Sequence, residues 1–110
     1  MRGRKCKTEH AATVFAALGE PRRLDIVARL QAGTALAIVD LADGADISRQ
    51  AVAKHLHVLH RAGIVRVERI GRESRYSLES KTLDDARAYL DEVAAHWDGA
   101  LARLRDLVED

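Results

Sequence analysis

The chain has 110 residues, 47% apolar and 32% charged, with 18 Lys+Arg against 17 Asp+Glu for a net charge of +1. This is the length of one domain with a modest core and the balance of a folded, soluble chain rather than a disordered one. No apolar run reaches the roughly 18–20 residues of a membrane span, the basic start running into Thr8-Glu9-His10 does not read as a secretory leader, and a single cysteine, Cys6, excludes an intrachain disulfide or a Cys-rich zinc module and points to a reducing cytoplasm.

Residues 1–7 carry Arg2, Arg4, Lys5 and Lys7 with no acid, and read as a flexible basic arm. A first helix is expected from about Thr8, as N-cap, to Leu18, with Ala11, Val14, Phe15 and Leu18 on one face. Gly19-Glu20-Pro21 breaks it. Pro21 suits the first turn of a second helix, with Leu24, Ile26, Val27 and Leu30 as its apolar side and Gly33 as its stop. A short third helix covers about Ile38 to Asp43. After the turn Gly44-Ala45-Asp46-Ile47, Ser48 caps a fourth helix that runs to Ala62 and stops at Gly63. Val52, Leu56 and Leu59 form its buried stripe, and Arg49, Gln50, Ala53, Lys54 and His57 its free side. Ile64–Ile70 and Arg75–Glu79 alternate as two strands about the turn Gly71-Arg72-Glu73-Ser74, a β-hairpin with a polar tip. The last thirty residues read as one helix. Leu83, Leu90, Trp97 and Leu104 recur every seven residues, followed three positions later by Ala86, Val93, Ala100 and Leu107. Apolar a and d positions over four heptads describe a coiled-coil seam between two chains. The fold class is mainly α with a small β-hairpin: one domain over 8–110, with a basic helix at about 48–62, a hairpin at about 64–79 and a dimerisation helix at about 81–108.

The near-neutral total hides a segregation of charge. Residues 48–78 hold seven Arg and Lys against two Glu, whereas residues 79–110 hold four basic groups against nine acidic ones. Two helices joined by a glycine-containing turn, the second of them basic and followed by a basic hairpin, make a winged helix-turn-helix. An α-helix fits the DNA major groove and reads base edges with its N-terminal residues. Ser48 at the cap leaves backbone N–H groups for a phosphate. Arg49 suits guanine O6 and N7, Gln50 suits adenine N6 and N7, and Lys54 and His57 lie one turn on, beside Ala53. At the hairpin tip Arg72 suits the minor groove or its phosphates, with Arg75 and Arg69 on the flanking strands. The expected partner is double-stranded DNA.

In these residues the chain resembles the ArsR-type winged-helix repressors. Ala17-Leu18-Gly19-Glu20-Pro21-Arg22-Arg23-Leu24-Asp25-Ile26 is similar to their opening helix pair. The run from Ser48-Arg49-Gln50 to Val58-Leu59 is similar to their recognition helix. Ala62-Gly63-Ile64-Val65 with Gly71-Arg72-Glu73-Ser74-Arg75-Tyr76-Ser77-Leu78 is similar to their strand, wing and strand. The resemblance covers about residues 10–108. It implies a cytoplasmic homodimer joined through its first and last helices, binding an inverted-repeat operator and blocking transcription. The interface then falls on Val14, Phe15, Leu83, Leu90, Val93, Trp97, Leu101 and Leu104.

Many members of that family sense metals. One of their sites uses closely spaced cysteines where this chain has Ile38-Val39-Asp40-Leu41. Their site on the last helix would place Leu83, Asp85, His96 and Gly99 as ligands, and Leu83 and Gly99 cannot ligate. The resemblance therefore runs to the metal-independent branch, with no metal or cofactor expected. A ligand- or metal-responsive derepressor of the same fold, with an unidentified small-molecule inducer, stands as the alternative, as does a dimeric protein-interaction module using the basic face. His55 and His57 lie about 200° apart on a helix, so His55, His57 and His60 read as packing or phosphate-contacting groups. Nothing reads as an enzyme: there is no phosphate-binding glycine loop, nucleophile elbow or zinc-protease motif.

Overall fold

The computed structural model describes the backbone of residues 2–109 and the side chains of residues 8–108. Five helices and three strands follow in the order α1 (Arg2–Leu18), α2 (Pro21–Leu30), β1 (Leu36–Ala37), α3 (Ile38–Ala42), α4 (Arg49–Arg61), β2 (Val65–Ile70), β3 (Glu73–Leu78) and α5 (Ser80–Glu109). The strands form one antiparallel sheet in the order β1-β3-β2. The chain is a mainly α winged helix-turn-helix, as the patterning predicts.

One apolar cluster joins every layer. Val14 and Ala17 of α1 meet Ile26, Val27 and Leu30 of α2, Leu41 of α3, Val52, Leu56 and Leu59 of α4, Ile64 and Val65 at the start of β2, and Ala86 of α5. Leu56, Leu59 and Ile64 have no exposed surface. Withdrawing a side chain of this size from water is worth about 1.5–3 kcal/mol, so the α4 stripe anchors that helix from below. Its opposite side remains in solvent.

Several expectations change. α1 begins at Arg2, so Thr8 lies within the helix and is not its cap. The backbone of the basic arm from Arg2 onward is thus continuous with α1, and the side chains of residues 1–7 lie outside the described residues. Val14, expected at the dimer seam, is completely buried in its own protomer's core because it faces α4 and not the outside of α1. Leu24, expected to be buried, is half exposed, and Ala17 takes its place in the core. Ala17 lies three residues after Val14, so the buried stripe of α1 is shifted from the one drawn through Phe15. β1 was not expected: two residues are too few for a periodicity to show. It exists because Leu36 and Ala37 pair with Tyr76 and Arg75 of β3.

The hairpin is tighter than expected. Ile70 pairs with Glu73, so Gly71-Arg72 alone makes the loop. Gly71 takes φ +66° and Arg72 stays at negative φ, the II′ pattern that matches strand twist. Gly63 has φ +78° at the end of α4, where the Ile64 N–H donates to the Leu59 carbonyl at 2.9 Å. A Cβ there would also stand 3.4 Å from Thr82 Oγ1 of α5. Gly63→Ala is expected to cost about 1–2 kcal/mol from the left-handed backbone, read as a lower urea midpoint at constant protein concentration.

Candidate nucleic-acid interface

α4 is set in place by caps and by packing. Ser48 is extended, and its Oγ accepts from the Ala51 N–H at 3.1 Å. That bond satisfies one of the free amides of the first turn. Arg49, Gln50, Lys54 and His57 then stand exposed on the side away from the core, with Ala53 half-buried between them. Gln50, Lys54 and His57 follow one another at four and three residues, and Arg49 and His57 flank Ala53 at four residues each, so the set shares one side of the helix as a ridge. Among the described residues, Arg49 and Lys54 have no carboxylate partner within ion-pair distance.

α3 is held to α2 beneath this ridge. The Arg29 guanidinium spans the two helices, donating from Nη1 to the Leu41 carbonyl and from Nη2 to the Asp40 carbonyl, both at 2.8 Å. Asp40 Oδ2 in turn accepts from the Ala37 N–H at 3.0 Å. A second tie reaches α4 itself. Glu20 caps α2 by accepting from the Arg23 N–H at 3.0 Å. Its Oε2 is 3.8 Å from His55 Nδ1, and Arg23 Nη1 is 3.5 Å from the same nitrogen. Arg23 Nε donates to the Ala17 carbonyl at the end of α1. One polar knot thus joins α1, α2 and α4. Its one local signal is Pro21 at the first helical position, which leaves Glu20 as the cap of α2. His55 is accordingly a packing residue, separate from His57 and His60, which lie in solvent.

In the wing, the two strands distribute charge unequally. Arg75 pairs with Glu73 at 2.9 Å and lies opposite Glu68 in the ladder. Arg66 lies 3.6 Å from Glu79. Arg72 at the tip and Arg69 have no carboxylate partner among the described residues. The tip cation is therefore the wing's most available charge, and Arg75 is partly neutralised. Among the described residues no group of three or more His, Cys, Asp or Glu is arranged to hold a metal ion, and no helix is long and apolar enough to cross a membrane.

Ser48→Ala is expected to lower stability by about 1 kcal/mol and Ser48→Asp to leave it nearly unchanged, because aspartate caps as well as serine. Thermal unfolding of the two variants beside the parent checks this.

Known proteins repeat this arrangement. Residues 18–68 match the helix-turn-helix domain family. An ArsR-like transcriptional regulator from Rhodococcus sp. RHA1 is 34% identical, superposes with a TM-score of 0.80, and is matched over 91% of this chain and 93% of that one. An HTH-type transcriptional regulator of Methanocaldococcus jannaschii is 28% identical over 87 residues, 79% of this chain and 98% of the relative. The homodimeric winged helix-turn-helix DNA-binding domain of a possible ArsR-family regulator from Mycobacterium bovis is 26% identical, with a TM-score of 0.67 over 84% of both chains. The helix-turn-helix, the wing and this degree of likeness along nearly the whole chain place the protein in the ArsR family of winged helix-turn-helix transcriptional regulators.

Proposed function

We propose that the chain is a homodimeric repressor that binds an inverted-repeat operator, with α4 in the major groove and the wing at the flanking minor groove. The observation that carries this is the exposed ridge of Arg49, Gln50, Lys54 and His57 on a helix whose other side is locked into the core. A major groove about 12 Å wide admits such a helix end-on. Arg49 and Gln50 in the first turn read base edges. Ser48 and the free first-turn amides receive a phosphate. Lys54 and His57 follow the groove. Arg72 grips the backbone or the minor groove beside it, and Arg75 supports the wing while balanced by its own carboxylate partner.

The rest of the operator follows from symmetry. A two-fold dimer presents two α4 helices to two half-sites one helical turn apart, about 34–36 Å. The homodimeric neighbour supports the dimer. The helix that completes it is α5, whose exposed Leu90, Trp97, Leu101 and Leu104 continue from the half-buried Val93. Phe15, half-buried against Tyr89 with ring centroids 6.4 Å apart, joins α1 to the same face, and Leu83 supports α5 from the core side. Occupying the operator blocks transcription, and no metal is required for the grip.

Fluorescence anisotropy with DNA from upstream of the protein's own gene tests this reading, in chelator, at several salt concentrations and with scrambled competitor. Tight binding that survives competitor and chelator is expected. Binding lost equally to scrambled DNA would overturn it. Arg49→Ala should relax base preference at one position per half-site by about 1–3 kcal/mol. Arg72→Ala should weaken all sequences alike and lower the salt slope by about one per half-site. Ser48→Asp, folded but carrying a carboxylate at the phosphate, should lose operator affinity.

A further inference from the structure

The apolar stripe of α4 fixes which way that helix faces, but apolar contact is non-directional and does little to fix its tilt. Ser48 bonds only within its own helix. Among the described residues, one side chain of α4 makes a polar contact with another element, and it is His55. It lies three positions after Val52 and four before Leu59, toward the core side of the helix, and is 20% exposed.

His55 Nδ1 stands 3.5 Å from Arg23 Nη1 and 3.8 Å from Glu20 Oε2. A guanidinium has donors and no acceptor. Nδ1 is therefore the acceptor, and His55 is the neutral tautomer with its proton on Nε2. Arg23 cannot follow a moving helix, because it is held at two other points. Its Nε donates to the Ala17 carbonyl at the end of α1, and its backbone N–H donates to Glu20 at 3.0 Å. The α1–α2 corner thus offers α4 one anchored donor.

The lever from this contact to the reading residues is long. At ~1.5 Å per residue Arg49 lies about 9 Å along the axis from His55, so a tilt of about 10° there moves Arg49 by about 1.6 Å. A specific site tolerates a misplacement of only about 0.5 Å. We infer that His55 is a positioning residue for DNA reading: held by Arg23, it sets the tilt of α4 and so brings Arg49 and Gln50 to base edges without touching DNA itself. The inference rests on α4 being the helix in the major groove, as proposed above. It has a signature that mere space-filling beside Val52 and Leu59 lacks. Base contacts need the alignment, whereas binding to any sequence depends on the number of phosphates neutralised.

Three substitutions test it. His55→Leu keeps bulk and removes the acceptor. His55→Asn places Oδ1 near the position of Nδ1 and keeps it. Arg23→Met removes the donor. Affinities are read by fluorescence anisotropy on DNA from upstream of the protein's own gene and on scrambled DNA of equal length, below the melting temperature of every variant. His55→Leu and Arg23→Met are each expected to weaken binding to the upstream DNA about tenfold, and the double variant little more than either, since both remove one contact. His55→Asn should stay within about twofold of the parent. Affinity for scrambled DNA and its salt slope should not change in any of them. His55→Leu binding the upstream DNA as tightly as the parent would overturn the inference. So would His55→Asn faring no better than His55→Leu, or equal losses on both DNAs, which are the mark of a general structural defect. Should Arg23→Met fail to fold, the two His55 variants decide alone. A parent with no preference for the upstream DNA would overturn the reading of α4 and this inference with it; the other adverse outcomes leave that reading standing.

Discussion

Val52, Leu56 and Leu59 sit on one side of α4 and are almost wholly withdrawn from water against Val14 of α1, Leu41 of α3 and Ile64 ahead of β2. The rest of the architecture depends on that contact. A helix of 13 residues is marginal in water by itself, so its packing and its Ser48 cap make it a rigid presenting element. Once three apolar side chains fix the rotation of α4, the direction of Arg49, Gln50, Lys54 and His57 is fixed as well. The same core residues that stabilise the fold therefore set the direction of that exposed face.

Around that contact, polar groups are spent on joining elements. Arg29 ties α2 to the end of α3, and Glu20, Arg23 and His55 tie the α1–α2 corner to α4. Arg66 and Arg75 are held beside glutamates of the wing and its end. Among the described residues, Arg49 and Lys54 on α4 and Arg69 and Arg72 at the outer half of the hairpin have no carboxylate partner. Segregated charge of this kind draws a polyanion to one face, while the acidic α5 is kept clear of it. The surface is so divided between a basic face on α4 and the wing and an acidic, apolar-striped α5.

Much of this was legible beforehand, for a reason that differs by element. α2, α4 and the hairpin were readable because each has a local signal: proline at a first turn, serine at a cap, glycine at a stop, alternation about Gly71-Arg72. The exposed ridge of α4 was readable because its buried stripe was, and the two faces are complementary. The polar knot at His55 was not readable, since His55 lies 32 residues beyond Arg23 and no periodicity links it to the Glu20–Arg23 corner. Nor was the neutralisation of Arg75, because Glu73 read as part of the turn, whereas the two-residue loop makes it the first residue of β3, with its carboxylate 2.9 Å from Arg75.

What the amino-acid sequence determined by itself is the set of elements, the sign of the charge each carries and the apolar heptads of α5, because helix periodicity, capping and charge are local properties of neighbouring residues. What only the tertiary structure decided is which apolar residues of those stripes are used up inside the protomer. Val14 and Ala86 carry the same patterning as Trp97 and Leu104, yet the first pair is buried in the core and the second is bare. Burial depends on which elements arrive at the same place: among the described residues Ala86 is in the shared core and Phe15 of α1 meets Tyr89 of α5, whereas Trp97 and Leu104 stay exposed.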